Sequence, residues 1–223
     1  VAQSHDLWLM GDAAQSFGAS VHGNKVGTLT EVTTLSFFPA KPLGCYGDGG
    51  CVMTSNDELA EVLRSIRVHG KGKSKYDIVR TGLNSRLDTI QAAILLQKLS
   101  IFPDESAARQ RHAEIYNQLL SDVNVLTPAI PDGIASAWAQ YTVILPEDVS
   151  RDQVQAHMLA QGVPTMVYYP KPLHAQSANT TYPRLASLSC SEMLSERVLS
   201  LPMHPYLSEK DQGQAANALK SAL

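Results

Sequence analysis

The chain has 223 residues, of which 44% are hydrophobic, 17% are charged and 6% are aromatic, and its net charge is -3. This length suits one or two domains with a substantial core, and the low charge density argues against a disordered chain. The charge balance lacks the basic surface of a nucleic-acid-binding protein, and no apolar run is long enough to span a membrane. Val1 leads at once into an apolar segment, so we expect the chain to open inside a domain.

The cysteines and histidines do not follow the pattern of a metal site. There are three cysteines, an odd number, and they lack zinc-site spacing: Cys45, Cys51 and Cys190. The seven histidines are scattered along the chain. We therefore predict no metal, reduced thiols and a cytoplasmic protein.

Three short runs predict the strands of the first half, at residues 7–10, 33–38 and 51–54. Gly11 and Asp12 end the first run, as expected for a buried strand with a site at its carboxyl end. Apolar residues at helical spacing predict a helix over 59–66, with Asn56 in the cap. A polar loop follows at 70–77.

The middle and second half predict an α/β unit of its own. Asp88 is the predicted cap of a helix that Pro103 and Asp104 break, and a further helix follows them. Beyond a linker at 128–133, the pattern predicts strands at 140–145 and 163–169, and helices at 150–161, 191–199 and 208–223. Ser150 and Gln153 form the pattern of a capping box.

One carboxylate and one amine follow predicted strands. Asp12 comes directly after the first strand, and Lys41 stands in a proline-bracketed loop after the second. These are the two groups that pyridoxal phosphate needs, an amine for the Schiff base and a carboxylate for the pyridine nitrogen. Local alternatives stay open, because Asp12 with Gln15 also fits a helix N-cap and a loop lysine is commonly only solvated.

The sequence resembles the pyridoxal-phosphate-dependent nucleotide-sugar aminotransferases of the DegT/DnrJ/StrS family. The motifs that carry the resemblance lie at residues 11–15 (GDAAQ), 36–41 (SFFPAK), 47–50 (GDGG), 67–70 (RVHG), 82–93 (GLNSRLDTIQAA), 169–170 (YP) and 201–203 (LPM). They extend over essentially the whole chain.

The resemblance implies an α/β protein of fold type I. Residues 1–102 are then the C-terminal part of a large cofactor-binding domain, a mixed sheet flanked by helices, and 103–223 are a small α/β domain. In this family a large N-terminal portion precedes the motif of Asp12. We therefore expect this chain alone to bind the cofactor poorly or not at all.

The resemblance also implies residue roles around pyridoxal phosphate. Lys41 holds the cofactor as an internal aldimine and then acts as the proton-transferring base, while Asp12 pairs with the pyridinium. Gln15 lies against the ring and Ser36 binds the phosphate. Asn84 reaches the phosphate of a neighbouring subunit, so the resemblance implies a homodimer with a shared active site. Read without the family, Asn84 is a turn-capping residue.

Within the family, the 75–91 stretch is most similar to enzymes that aminate a 3-keto UDP-N-acetylglucuronic acid for O-antigen and lipopolysaccharide biosynthesis. Arg86 suits the sugar carboxylate, although pairing with Asp88 is an equal alternative. Tyr168 and Tyr169 stand where relatives show His-Tyr, a departure that bears on the sugar. His174 suits the diphosphate or sugar, or is a surface group.

The predicted function is amino transfer from glutamate, through the pyridoxamine phosphate form of the cofactor, to a keto UDP-sugar. The alternatives are a 4-keto nucleotide-sugar aminotransferase and a non-catalytic regulatory relative. Lys41 argues against a sugar dehydratase of the same family, in which this position is usually histidine.

Overall fold

The computed structural model describes residues 1–74, 76–179, 181–183 and 186–223. The chain divides into two compact units: unit 1 comprises residues 1–106 and 130–139, and unit 2 comprises residues 107–129 and 140–223. The predicted division into 1–102 and 103–223 stays a proposal about the domains of the complete protein.

Unit 1 is built on a mixed three-stranded sheet. The first five strands of the chain are β1 (Met10–Asp12), β2 (Ser20–Val21), β3 (Asn24–Lys25), β4 (Val32–Ser36) and β5 (Gly50–Thr54). Strands β2 and β3 belong to a separate small sheet that β6 (Ile134–Ala135) completes. The order in the mixed sheet is β1-β4-β5, with β1 parallel and β5 antiparallel to the central strand. Val32 and Thr33, at the start of β4, are both buried, and β-branched residues such as these are enriched in strands.

The predicted buried strand at 7–10 is wrong in extent and in burial. Strand β1 begins only at Met10, and the side chains of Leu7, Trp8, Leu9 and Met10 are all more than half exposed. Strand β1 lies at an edge of the sheet, where it pairs with β4 on one side only among the described strands. The described part of the chain leaves these apolar side chains largely uncovered, although their pattern is that of a core strand.

Two helices follow in unit 1. Helix α1 (Asp57–Ile66) begins where Asn56 Oδ1 accepts a hydrogen bond from Leu59 N at 3.0 Å, which confirms the predicted cap. Helix α2 runs without interruption over Thr89–Leu119, through Pro103, so its residues to 106 belong to unit 1 and the rest to unit 2.

The predicted break at Pro103 and Asp104 is wrong. A proline removes one backbone hydrogen bond from a helix, and its ring crowds the preceding turn. Both neighbouring turns of α2 are held by packing within their own unit: Phe102 packs on the unit 1 core, and Ala108 is buried in unit 2. This packing on either side of Pro103 offsets the local cost.

Unit 2 combines a two-stranded antiparallel sheet with helices. Strand β7 (Tyr141–Ile144) pairs with β8 (Val198–Leu201), and the helices are α3 (Arg151–Ala160), α4 (Ser189–Arg197) and α5 (Glu209–Lys220). The short strand β6 (Ile134–Ala135) comes earlier in the chain and pairs with β2 of unit 1. The core of unit 2 lies between the sheet and the helices, where Val143, Met158 and Leu219 are fully buried.

Three predictions in unit 2 are wrong. Residues 163–169 are not a strand: Met166 forms an isolated bridge with Ser200, and the prolines at 164 and 170 lack the N–H groups that a ladder needs. The helix predicted over 191–199 ends at Arg197, because the apolar residues after it form β8. Ser150 precedes α3, but its side chain makes no capping hydrogen bond.

Candidate active site

Two of the predicted site residues lie at one edge of the unit 1 sheet. Asp12 ends β1 and lies opposite Thr34 of β4, and Ser36 ends β4 two residues beyond Thr34. Because β1 and β4 are parallel, their carboxyl ends meet at the same edge of the sheet. The sheet thus places a carboxylate and a hydroxyl near each other. Asp12 is exposed and Ser36 is half-buried.

The Asp12 carboxylate is oriented by the turn that follows it. Its Oδ1 accepts a hydrogen bond from Ala14 N at 3.0 Å. No helix begins here, since residues 14–17 form turns, so the helix-cap alternative for Asp12 and Gln15 is wrong. Within the described residues, Oδ2 makes no hydrogen bond and is available to a ligand. Gln15 is half-buried in the same turn.

Lys41 lies in a loop that closes on itself. Phe37 N donates to Gly49 O at 2.7 Å, and Cys45 N donates to Phe37 O at 2.8 Å, so residues 37–49 leave and return to the sheet at one point. Inside this closed loop Lys41 N donates to Phe38 O at 2.9 Å. The lysine is half-buried, and its Nζ forms no hydrogen bond or ion pair with the part of the chain that the structure describes. The loop thus holds the backbone of Lys41 through its own hydrogen bonds.

The loop that carries Lys41 rests on a small apolar core. Leu43 and Cys45 are buried together with Leu95 of α2, and half-buried aromatic and aliphatic side chains surround them. Gly44 permits the tight path, because a Cβ there would lie 2.6 Å from the carbonyl oxygens of Phe38 and Pro39. The family-like motif around Lys41 therefore encodes a rigid platform.

Asn84 and Arg86 extend from a pair of backbone segments that run beside each other. Leu83 N donates to Ile66 O at 2.7 Å, and the ladder continues through residues 67, 69 and 85. Gly82 makes this approach possible, because a Cβ there would lie 2.0 Å from the backbone nitrogen of Gly70. The motifs at 67–70 and 82–86 thus act together to hold two exposed polar side chains.

Arg86 orients the Asn84 amide. Its Nε donates a hydrogen bond to Asn84 Oδ1 at 3.0 Å. This bond does not use the Asn84 Nδ2 group or the terminal nitrogens of Arg86. The structure shows no ion pair between Arg86 and Asp88, the alternative weighed for this arginine, within its described ranges. Both side chains are therefore hydrogen-bond donors, which suits an anionic ligand such as a phosphate or carboxylate.

The remaining predicted site residues belong to unit 2. Tyr168 is half-buried and Tyr169 is exposed, and their rings meet edge to face with centroids 5.7 Å apart. His174 is not a bare surface group: its Nε2 lies 3.0 Å from Glu192 Oε1 of α4. A ligand contact by this histidine therefore competes with a carboxylate.

The side chains of unit 1 fit pyridoxal phosphate in their chemistry. One sheet edge and its adjoining loop supply a carboxylate with an unpartnered oxygen, a hydroxyl and a lysine amine without a competing ion pair. These are Asp12, Ser36 and Lys41, the residues that would hold the pyridine nitrogen, the phosphate and the aldehyde carbon. The structure therefore retains a donor set suited to this cofactor.

Neither a metal centre nor a membrane helix was found in the described ranges. Their His, Cys, Asp and Glu side chains do not converge in any group of three that could hold a metal ion. Their helices also lack a stretch of the length and hydropathy needed to cross a bilayer.

Sequence reasoning did not assign two residues that support the Lys41 loop. The Cys45 thiol lies 3.1 Å from Phe37 O and 3.0 Å from Gly47 O, and Gln91 Oε1 accepts a hydrogen bond from Tyr46 N at 2.8 Å. The signal for Cys45 is its place beside the turn glycines. Gln91 stands within a motif that pointed to the family, and only the structure shows its contact.

Comparison with known proteins identifies the family of the chain. A family described as the DegT/DnrJ/EryC1/StrS aminotransferase family matches residues 1–220. The chain is 48% identical over 207 residues to the UDP-2-acetamido-2-deoxy-3-oxo-D-glucuronate aminotransferase of Pseudomonas aeruginosa, a match that covers 93% of the chain and 56% of that enzyme. It is also 45% identical over 217 residues to a pleiotropic regulatory protein of Geobacillus stearothermophilus, covering 95% of the chain and 57% of the relative.

The solved structures agree in fold. A DegT DnrJ EryC1 StrS aminotransferase from Brucella abortus superposes with a TM-score of 0.93 at 49% identity, covering 99% of this chain and 58% of that one. The predicted α/β fold of type I, a mixed sheet with flanking helices and a partial domain, is confirmed. The chain spans somewhat more than half the length of the relatives it matches. It belongs to the DegT/DnrJ/EryC1/StrS family of sugar aminotransferases, whose cofactor is pyridoxal phosphate.

Proposed function

We propose that the protein to which this chain belongs transfers an amino group from glutamate to a keto UDP-sugar, at C3 of UDP-N-acetyl-3-oxo-glucuronic acid. The observation that carries the proposal is the placement of Asp12 and Ser36 at one sheet edge, followed by the closed loop that presents Lys41. The 48% identity to the Pseudomonas enzyme supports the sugar.

Bound pyridoxal phosphate supplies an electron sink for the substrate carbon. In this proposal the Asp12 carboxylate keeps the pyridine nitrogen protonated, because a negative charge beside that nitrogen favours its charged form. The Ala14 N–H already orients Asp12 Oδ1 in the chain itself. Ser36 Oγ, which accepts from Phe38 N at 3.3 Å, has its own proton to donate to a phosphate oxygen.

Lys41 carries the proton in this scheme. Its Nζ would hold the cofactor, and the amine, when it is not attached, would take up and return the proton exchanged between the substrate carbon and the cofactor carbon. Lys41 Nζ forms no hydrogen bond or ion pair with the part of the chain that the structure describes, so no such contact competes with the cofactor for this amine. The anchored loop keeps this amine at a fixed position.

The donors at Asn84 and Arg86 complete the proposal. We assign Asn84 Nδ2 to the phosphate of a cofactor in a second subunit, which makes the active protein a homodimer, and Arg86 to the carboxylate of the sugar acid. The hydrogen bond between them supports both roles, because it orients the amide nitrogen and the guanidinium toward anions. Tyr168, Tyr169 and His174 are proposed sugar or diphosphate contacts. A cytoplasmic site and a role in O-antigen synthesis belong to the same proposal.

A regulatory role is the second candidate, because the Geobacillus relative is named a pleiotropic regulatory protein. Retention of Asp12, Ser36 and Lys41 in a reactive arrangement favours catalysis. A 4-keto nucleotide-sugar aminotransferase keeps the same residues around the cofactor and differs only in the sugar position that is aminated.

The deciding experiment adds glutamate to the full-length protein loaded with pyridoxal phosphate and follows the visible absorbance. We expect conversion to the pyridoxamine phosphate form with release of 2-oxoglutarate in equal amount. Lys41→Ala should abolish covalent cofactor attachment and lower the rate on the order of 10³-fold or more. Lys25→Ala, which removes an exposed lysine on β3, is the matched control and should leave both unchanged.

Product analysis then separates the candidates. Mass spectrometry and NMR of the product from 3-keto and 4-keto UDP-sugars identify the aminated carbon. Amination at C4 alone contradicts the proposed substrate. A protein that binds the cofactor at Lys41 and yet turns over neither glutamate nor either sugar is a regulatory relative.

A further inference from the structure

We propose that Gln91 is a positioning residue for Lys41: its side-chain amide fixes the loop at residues 37–49 on helix α2. The proposal rests on the proposed function, because Lys41 matters only if it reacts. Gln91 lies on the first turn of α2, 50 positions from the lysine in sequence, and is half-buried.

The apolar contacts between the loop and α2 do not by themselves fix the loop. Leu43 and Cys45 pack against Leu95 of α2 in a small cluster. Apolar packing of this kind is non-directional, so it holds the two surfaces together without determining their register. A directional contact is needed to determine where along α2 the loop lies.

Gln91 provides that directional contact. Its Oε1 accepts a hydrogen bond from Tyr46 N at 2.8 Å. Tyr46 is 75% exposed, and its backbone N–H makes this hydrogen bond to the helix, while Lys98 Nζ of α2 lies 5.8 Å from the centroid of its ring. The next residue also lies close to the amide, since a Cβ on Gly47 would be 3.2 Å from Gln91 Nε2. The amide therefore accepts a hydrogen bond from Tyr46 and lies beside Gly47.

The contact at Tyr46 is connected to Lys41 through short hydrogen bonds. Cys45 N donates to Phe37 O at 2.8 Å, and the Cys45 thiol lies between Phe37 O and Gly47 O. On the other side of Phe37, Phe38 O accepts from Lys41 N at 2.9 Å. A shift of the returning strand of the loop at Tyr46 is thus transmitted to the lysine backbone.

The test compares three variants of the full-length protein loaded with pyridoxal phosphate. Gln91→Leu keeps the bulk and removes the acceptor, and Gln91→Glu keeps an oxygen acceptor at the same position. Gln97→Leu changes an exposed glutamine on the same helix and is the matched control. Gln91→Asn, which withdraws the acceptor by one methylene, replaces the leucine variant if that variant does not fold.

We expect Gln91→Leu to attach the cofactor at Lys41, to lower kcat about tenfold with KM for glutamate within twofold, and to shift the pH dependence of the bound cofactor's absorbance. Hydrogen exchange of the peptide that contains Tyr46 should become faster. Gln91→Glu should restore most of kcat, and Gln97→Leu should behave as the parent protein in every measurement.

Two negative results have different meanings. If Gln91→Leu matches Gln97→Leu in kcat and in the absorbance titration while Lys41→Ala is inactive, the positioning role is wrong and the proposed function stands. If the parent protein attaches no cofactor at Lys41, both proposals fail.

Discussion

The two units of the chain are held together in different ways. Unit 2 contains most of the large side chains that are fully removed from solvent, among them Tyr116, Tyr141, Leu199 and Leu219, whereas Cys45 is the member of that group in unit 1. Unit 1 instead exposes apolar residues, including those at 7–10 and several on α2. Its organisation depends on backbone segments that approach each other closely.

The glycines show the close approach of backbone segments in unit 1 most directly. In unit 1, a Cβ at Gly44, Gly70 or Gly82 would lie less than 3 Å from backbone atoms of another segment. In unit 2, a Cβ added to Gly213 of α5 would have nothing within 4 Å. Unit 2 therefore gains stability chiefly from side-chain burial, while unit 1 uses close backbone contacts to hold polar side chains at its surface. The comparison makes distinct predictions for substitutions in each unit.

The largest expected effect is the loss of a buried side chain from unit 2. Leu199 is fully buried in β8, so Leu199→Ala should lower the free energy of unfolding by about 2–5 kcal/mol through lost burial and a cavity. Leu96→Ala, at a 66% exposed position of α2, should change it by about 0.5 kcal/mol or less. Urea titrations followed by circular dichroism measure both. Equal losses would contradict the proposed difference between the units.

A methyl group added in unit 1 should have the next largest effect. In Gly82→Ala the new Cβ would lie 2.0–2.7 Å from backbone atoms of residues 66–70, so we expect a loss of about 3 kcal/mol. Gly213→Ala should instead stabilise α5 by about 0.5–1 kcal/mol, because alanine is the better helix former. The fluorescence of Trp8 and Trp138, which both belong to unit 1, follows the first change. A neutral Gly82→Ala would show that the segment has room to move.

The third-largest expected effect is the loss of a buried polar contact in unit 2. Gln212 is fully buried, its Nε2 donates to His112 O at 2.9 Å and its Oε1 lies 2.8 Å from His112 Nδ1. Gln212→Leu removes both hydrogen bonds to His112 and should cost about 1–3 kcal/mol. Gln214→Leu, on the exposed side of the same helix, is the control and should cost about 0.5 kcal/mol or less. A similar midpoint of urea unfolding for the two variants would mean that water replaces the lost amide.

The smallest effect is a dependence on pH. Burial, followed by the positive charges of Arg109 and His112, lowers the pKa of His204 below its ordinary value of 6.5. The unfolded chain therefore binds this proton more readily, and stability should fall as the pH drops through that value. From about pH 8 to about pH 5, the unfolding midpoint of the parent chain should fall more than that of His204→Gln. An equal or smaller fall in the parent would overturn the assignment to His204.

Local signals predicted the elements that depend on local physics. Helix α1 begins at its predicted cap because the Asn56 side chain supplies the missing acceptor within a few residues. The predicted helix break at Pro103 is wrong because packing against residues distant in sequence outweighs the one lost hydrogen bond. The strand predicted at 163–169 is wrong because the prolines at 164 and 170 limit its pairing to a single bridge. Contacts between distant residues decided the outcome at Pro103, whereas the local prolines decided it at 163–169.

The candidate site likewise has some features that the sequence predicts and others that depend on the assembled fold. The order of Asp12, Ser36 and Lys41 along the chain indicated the cofactor chemistry and the family, which the comparisons confirm. The individual roles of these residues, and those of Asn84 and Arg86, stay predictions. No spacing rule indicated that Gln91 bonds to Tyr46 N, because a hydrogen bond between positions 45 residues apart depends on the assembled fold.

Strand β6 gives the connectivity of the chain a practical consequence. The polypeptide passes from one unit to the other after residues 106, 129 and 139, and the short middle return brings Ile134 and Ala135 beside β2. A single cut at 102/103, or anywhere along α2, therefore does not yield two complete units: the C-terminal fragment keeps a strand that unit 1 uses. A chimaera that exchanges segments of unit 2 between relatives thus needs two junctions around residues 130–139. Strand β6 then stays with the sheet it completes.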